Sequence, residues 1–153
     1  MSLFSFFKKE DFFTEEEKLQ IIEAVRNAEK RTSGEVRVFV ESHCSYMDAI
    51  DRAKEIFVEL KMNETADKNA VLVYVAMKDH QLAILGDAGI HNKLGNEYWN
   101  TEARKMIRKF NKENYADGIK EVVTDIGDAL TQHFPYNNDT DKNELPDDII
   151  FGK

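Results

Sequence analysis

An α/β fold is predicted for this chain: a small mixed β-sheet sandwiched between helices, in the order α-β-α-β-β-α-α. Three observations predict it. Val71 to Val75 is an unbroken β-type apolar run, as expected of a strand buried on both faces. A polar reversal, Lys78-Asp79-His80-Gln81, separates it from a second short run, Leu82 to Leu85, which makes an antiparallel hairpin. On either side of this hairpin, apolar residues return at helical spacing.

The first helix has a marked start. Thr14 followed by Glu17 is a capping box, and Leu19, Ile22 and Val25 carry the apolar stripe until Ser33-Gly34 ends it. Glu35 to Glu41 alternates polar and apolar residues, so a strand with one covered face is expected, with Val36, Val38 and Val40 sharing that face. From Met47 to about Leu60, the positions Ile50, Ala53, Phe57 and Leu60 predict a second helix. Strand, crossover helix and strand together imply parallel pairing of the first strand with the Ala70 strand. After Gly95 two further helices are predicted, one striped by Trp99, Ala103, Met106, Ile107 and Phe110, the other by Ile119, Val122, Val123, Ile126 and Leu130. Both stripes read as faces packed on the sheet rather than as the lining of a cofactor pocket. Gly118 and Gly127 mark close approaches of helices.

The 153 residues suffice for one hydrophobic core. Residues 12–134 form the expected domain, 1–11 a flexible N-terminal segment, and 135–153 an acidic, mostly disordered tail containing Pro135 and Pro146. Ile149-Ile150-Phe151 in that tail suits docking either on the domain or on a partner. With 21 Lys+Arg against 29 Asp+Glu the net charge is -8, which disfavours nucleic acid and anionic membranes as partners. The single cysteine, Cys44, allows no internal disulfide or zinc spacing and fits a reducing compartment. Phe4, Phe6 and Phe7 suit a short interfacial contact, but Lys8 to Asp11 interrupt any signal-peptide core, and no apolar run approaches the length of a transmembrane helix. A cytoplasmic location is the expectation.

The candidate site is the turn Gly86-Asp87-Ala88-Gly89. Flanking glycines permit a sharp bend that places Asp87 at the carboxyl end of a strand, where α/β sheets usually bind ligands. Asp87 and Asp67, from loops bordering the same hairpin, can meet at one sheet edge as oxygen ligands for Ca²⁺ or Mg²⁺. His91 joins them at i+4 if the turn is helical. The other reading of Asp87 is a helix N-cap. Asp79 lies at the opposite end of the hairpin as a turn residue, and His43, His80 and His133 read as solvent-exposed. No arrangement for nucleophilic phosphatase chemistry is present. There is no C-x5-R loop at Cys44, and the glycine turn lacks the length and Lys of a phosphate-binding loop. Asp139 to Asn143 imitates the start of an EF-hand, but Glu144 and Ile150 stand at its sixth and twelfth positions.

Four pieces of this sequence carry a resemblance: Thr32-Ser33-Gly34-Glu35-Val36, Asn69-Ala70-Val71-Leu72-Val73, Gly86-Asp87-Ala88-Gly89-Ile90 and Tyr115-Ala116-Asp117-Gly118-Ile119. With the element order, they make the chain from about Phe12 to Phe134 resemble the TPM domain family. The resemblance implies an α/β sandwich and a divided set of functions. Plant thylakoid members are linked to photosystem II repair and described as acid phosphatases. Others look like accessory proteins of membrane complexes, and some bind calcium. Many bacterial relatives carry a signal peptide and membrane anchor and sit beside LemA-type proteins. This chain resembles a stand-alone branch without either element. Two functions follow as expectations: a non-catalytic interaction or accessory module, with an unidentified protein partner such as a membrane-associated complex or a LemA-type protein; or a metal-dependent phosphatase acting weakly on phosphomonoesters.

Overall fold

The computed structural model describes residues 12–136 and 149–152. The flexible segment expected over 1–11, and the expected disorder and EF-hand imitation over 137–148, lie outside the described residues. Among the described residues, five helices and four strands run in the order α1 (Glu15–Glu29), β1 (Glu35–Glu41), α2 (Ala49–Glu59), β2 (Ala70–Ala76), β3 (Gln81–Gly86), α3 (Ala88–Leu94), α4 (Asn96–Phe110), α5 (Tyr115–His133) and β4 (Ile150–Phe151). A single 3₁₀ turn, Met62–Glu64, follows α2. The sheet order is β3-β2-β1-β4, with β1 parallel to both β2 and β4, and β3 antiparallel to β2.

Local chemistry sets the elements. The predicted capping box forms at α1: Glu17 N donates to Thr14 Oγ1 at 3.1 Å, and Thr14 N to Glu17 Oε1 at 2.9 Å. α3 and α4, which the sequence reads as a turn and one helix, are separated by Gly95, whose φ of 79° suits a residue without a side chain. No helix among the described residues is long and apolar enough to cross a membrane.

Two cores lie on opposite faces of the sheet. Val36, Val38 and Val40 of β1 and Val71, Val73 and Val75 of β2 meet α1, α3, α4 and α5 through Ile21, Val25, Ile90, Trp99, Met106, Ile119, Val122, Ile126 and Leu130. Phe39, Leu72, Tyr74 and Ala83 point the other way, onto Ala53, Ile56 and Phe57 of α2. β1 therefore departs from its alternating pattern: all seven of its residues are buried, Glu35, Arg37 and Glu41 included. The face expected to be open carries the second core, and Arg52 of α2 and Tyr74 of β2 hold the Glu41 carboxylate there. Of the predicted α2 stripe, Ala53 and Phe57 are buried, whereas Ile50 is 40% exposed and Ile56 takes its place in the core.

The chain ends of the domain are fastened together. Gly127 of α5 sits against Ala28 of α1, where an added Cβ would lie 2.5 Å from the alanine methyl. Thr32 Oγ1 donates to Leu130 O at 3.1 Å and contacts Phe134 O, Ser33 N donates to Phe134 O at 3.0 Å, and Thr32 bridges Pro135. Further on, the described residues 149–152 of the tail dock on the domain, one of the two readings of Ile149-Ile150-Phe151. Ile149 and Phe151 are buried in the larger core, and Ile150-Phe151 pairs with Phe39-Val40.

Candidate functional site

β3 ends at Gly86 and the chain turns at once into α3. Asp87 N donates to Ala70 O at 2.9 Å, extending the ladder by one step. Its Oδ1 accepts from Ala88 N at 2.8 Å, so Asp87 caps α3 as one of its two sequence readings required. The second carboxylate oxygen, Oδ2, is buried and has no hydrogen-bond partner among the described residues.

The Asp67 loop does adjoin this turn, but through backbone. A Cβ at Gly89 would overlap Asp67 O and lie 2.6 Å from Lys68 O, so only glycine lets the first turn of α3 rest on those carbonyls. Ile90 N donates to Lys68 O at 3.3 Å. The Asp67 side chain itself is exposed. Sequence reasoning missed Asn69, the residue directly before β2. It is 1% exposed, its Nδ2 donates to Ser33 Oγ at 3.2 Å, and its Oδ1 has no partner among the described residues. The available signal was its position directly before a strand buried on both faces.

His91 stands at i+4 from Asp87 on α3, as expected, and its ring is taken up by a neighbour. Trp99 Nε1 donates to His91 Nδ1 at 3.0 Å. An indole N–H can only donate, so Nδ1 is the accepting nitrogen and the proton of the neutral ring resides on Nε2. Trp99 is in turn fixed by Gly86, where a Cβ would lie 2.7 Å from indole Cη2. Gly86, Asp87, Ala88 and Gly89 thus form a rigid corner in which most polar groups serve the corner.

The corner lies at the end of the sheet that the Asp67 loop borders, as the antiparallel hairpin implies. Because β3 runs antiparallel to β2, its carboxyl end coincides with the amino ends of β1 and β2. The carboxyl ends of the parallel pair carry a second polar cluster that the sequence did not reveal. Glu41, 3% exposed, accepts from Tyr74 Oη at 2.5 Å and from Arg52 Nε and Nη2 at 2.9 and 3.1 Å. The Glu41 hydrogen bond raises the Arg52 pKa, and burial first, then the Glu41 hydrogen bond, raises that of Tyr74. Asp79, predicted as a plain turn residue at this end, accepts from Cys44 N at 2.7 Å and pairs with His43 Nδ1 at 2.9 Å, which lowers its pKa. Beside it Tyr46 is fully exposed, with Met47 and Ile50 37% and 40% exposed.

A third cluster joins α4 to α5. Lys105 Nζ bridges Glu102 Oε2 at 3.2 Å and Asp125 Oδ2 at 2.9 Å. Glu102 is 3% exposed, and burial followed by the nearby Asp125 pushes its pKa up to about 7. The lysine ammonium occupies the position a cation would take. No group of three or more His, Cys, Asp or Glu side chains positioned to hold a metal ion exists among the described residues.

Comparison with known proteins agrees with the fold. The BA42 protein of the psychrophilic bacterium Bizionia argentinensis, solved by NMR, superposes with a TM-score of 0.86 at 40% identity, over 95% of this chain and 99% of that one. The N-terminal domain of the cg2496 protein of Corynebacterium glutamicum superposes with a TM-score of 0.57 at 13% identity, over 77% of this chain and 74% of that one, a likeness of fold alone. No curated protein matches the chain. The sequence profile of the TPM domain matches residues 6–129. With that match over most of its length, the chain belongs to the TPM domain family.

Proposed function

We propose that this TPM domain is a non-catalytic accessory module that docks a protein partner on the surface from Gly86 to Gly95. The observation that supports this reading is how the corner spends its polar groups. Asp87 Oδ1 caps α3, the His91 lone pair receives the Trp99 N–H, and the Asp67 carboxylate faces outward. A catalytic constellation needs groups converging on one reacting atom; here they converge on the turn itself. What is offered outward is a stiff, preformed relief, which suits recognition at low ordering cost. A membrane-associated complex or a LemA-type protein is the kind of partner the family resemblance suggests.

A second reading has one specific observation in its favour. Asp87 Oδ2 and Asn69 Oδ1, on adjoining loops, are buried oxygens without hydrogen-bond partners among the described residues. Buried acceptors of this kind are expected to be satisfied, and hard cations such as Ca²⁺ or Mg²⁺ take oxygen ligands. Asp67 completes the set as an outward carboxylate. A cation held there would supply the Lewis acid for weak phosphomonoester hydrolysis.

Amide NMR spectra recorded during titration with Ca²⁺ and then Mg²⁺, followed over residues 64–70 and 84–95, test whether a cation binds at the corner, and a phosphatase assay separates the readings. The accessory reading expects no turnover of p-nitrophenyl phosphate with either cation, whatever the shifts. Turnover that disappears in Asp87→Asn would overturn it and establish the second.

A further inference from the structure

We propose that the edge of β1 opposite β2 is a peptide-binding groove in which the chain's own residues Ile149–Gly152 act as a resident ligand, displaceable by an extended partner segment of the pattern aliphatic-aliphatic-aromatic-glycine. The TPM match ends at residue 129, so β4 lies beyond the matched stretch. It is joined to β1 by little backbone. Two residues, Ile150 and Phe151, pair with Phe39 and Val40, out of seven in β1, and Gly152 N adds one hydrogen bond to Val40 O at 2.8 Å.

The side chains define the recognition. Neighbouring residues of an added strand point to opposite faces, so main-chain bonds supply affinity and alternate pockets supply selectivity. Ile149 and Phe151, each 6% exposed, enter the larger core, while Ile150 packs on the α2 side. The Phe151 ring lies under Lys18, with Nζ 5.6 Å from its centroid, a cation-π contact that favours an aromatic at this position. Lys18 is held there by Glu15 at 3.2 Å. At the next position a Cβ would lie 2.6 Å from Phe39 Cε1 and 2.9 Å from Glu41 Oε1, so the groove accepts glycine and rejects larger residues. A segment with this pattern, running parallel to β1, meets every one of these demands. A segment on the same chain competes at an effective concentration on the order of 1 mM, so the resident tail masks the groove from weak partners.

A fluorescent peptide of residues Asp147–Lys153 tests the idea on full-length protein by anisotropy. Phe151→Ala in the protein loosens the resident tail, and the peptide is expected to bind this variant at least tenfold more tightly than wild type. The same peptide carrying Phe151→Ala is expected not to bind. Equal binding to both proteins, or none to either, overturns the proposal. Hydrogen exchange of the wild-type chain gives an independent reading should the variant not fold: the Gly152 amide is expected to exchange at least a hundredfold faster than the β1–β2 amides. Exchange of Gly152 only together with those amides would make the tail an integral strand and overturn the proposal.

Discussion

Replacing Glu102 by Gln should make the protein more stable, and increasingly so as pH rises. Glu102 is almost wholly buried between α4 and α5, and its carboxyl in the native state titrates at about 7 instead of the usual 4.5. In the unfolded chain the proton leaves near 4.5. Above that pH the native state binds more protons than the unfolded state, so stability falls as pH rises and levels off above about 7. At about 1.4 kcal/mol per pKa unit, the separation sets a ceiling of roughly 3 kcal/mol on the loss. Most of it, about 2 kcal/mol, falls between pH 5 and pH 8. Gln keeps the hydrogen-bonding shape of the protonated acid and does not titrate, and Lys105 retains Asp125 at 2.9 Å. Urea unfolding of both proteins at pH 5, 6, 7 and 8 measures the difference. With an m-value of about 2 kcal/mol/M, the variant's midpoint should gain roughly 1 M on wild type across that range. Parallel pH profiles, or a gap that narrows with pH, would refute the assignment of an elevated native pKa to Glu102.

The remaining predictions concern the other clusters. Glu41→Ala takes the shared acceptor from the buried Tyr74 hydroxyl and from half-buried Arg52, which keeps Glu55, and should cost about 1–3 kcal/mol in urea unfolding; Tyr74→Phe, which leaves the ion pair whole, should cost about 1 kcal/mol. Gly86→Ala drives a methyl into the Trp99 ring and should destabilise by about 1–3 kcal/mol, with a shift in tryptophan emission as the Trp99–His91 hydrogen bond is disturbed. His43→Ala removes the main group that depresses Asp79, so the Asp79 carboxyl, followed by NMR, should titrate at higher pH than in wild type. Because a depressed carboxyl loses its native partner as pH falls through the native pKa, any stabilisation from this pair is present at neutral pH and disappears in acid.

Where periodicity reports burial, the sequence was informative. The Val71 to Val75 run, the hairpin and the Thr14 capping box depend on neighbours within a few residues, and each forms as expected. β1 was misjudged because alternation shows that one face is apolar and says nothing of how charges on the other face are satisfied. That depended on Arg52, eleven residues away on a helix, meeting Glu41. His91 was placed correctly on α3, yet its ring orientation came from Trp99, whose approach is set by Gly86 in a different element. The end of the sheet at which Asp87 sits followed from strand direction, a property of topology. β4 is two residues long, below any length at which a pattern can be recognised.

The clasp between α1 and α5 bears on how the protein is made. Ala28 and Gly127 are about a hundred positions apart, so the apolar stripe of α1, with Ile21 and Val25 at its centre, has no helical cover until α5 has been synthesised. At about 5–20 residues per second, a ribosome takes on the order of 5–20 seconds to produce the missing piece. Over that interval any layer that α1 and the first strands build lacks the cover of α5 and keeps its β-edges open, the condition in which nascent chains are most exposed to chaperones and to misassociation. The polar outer face of α1, with Glu15, Glu16 and Glu17 in its first turn, then keeps an unfinished chain apart from its neighbours as well as capping a helix.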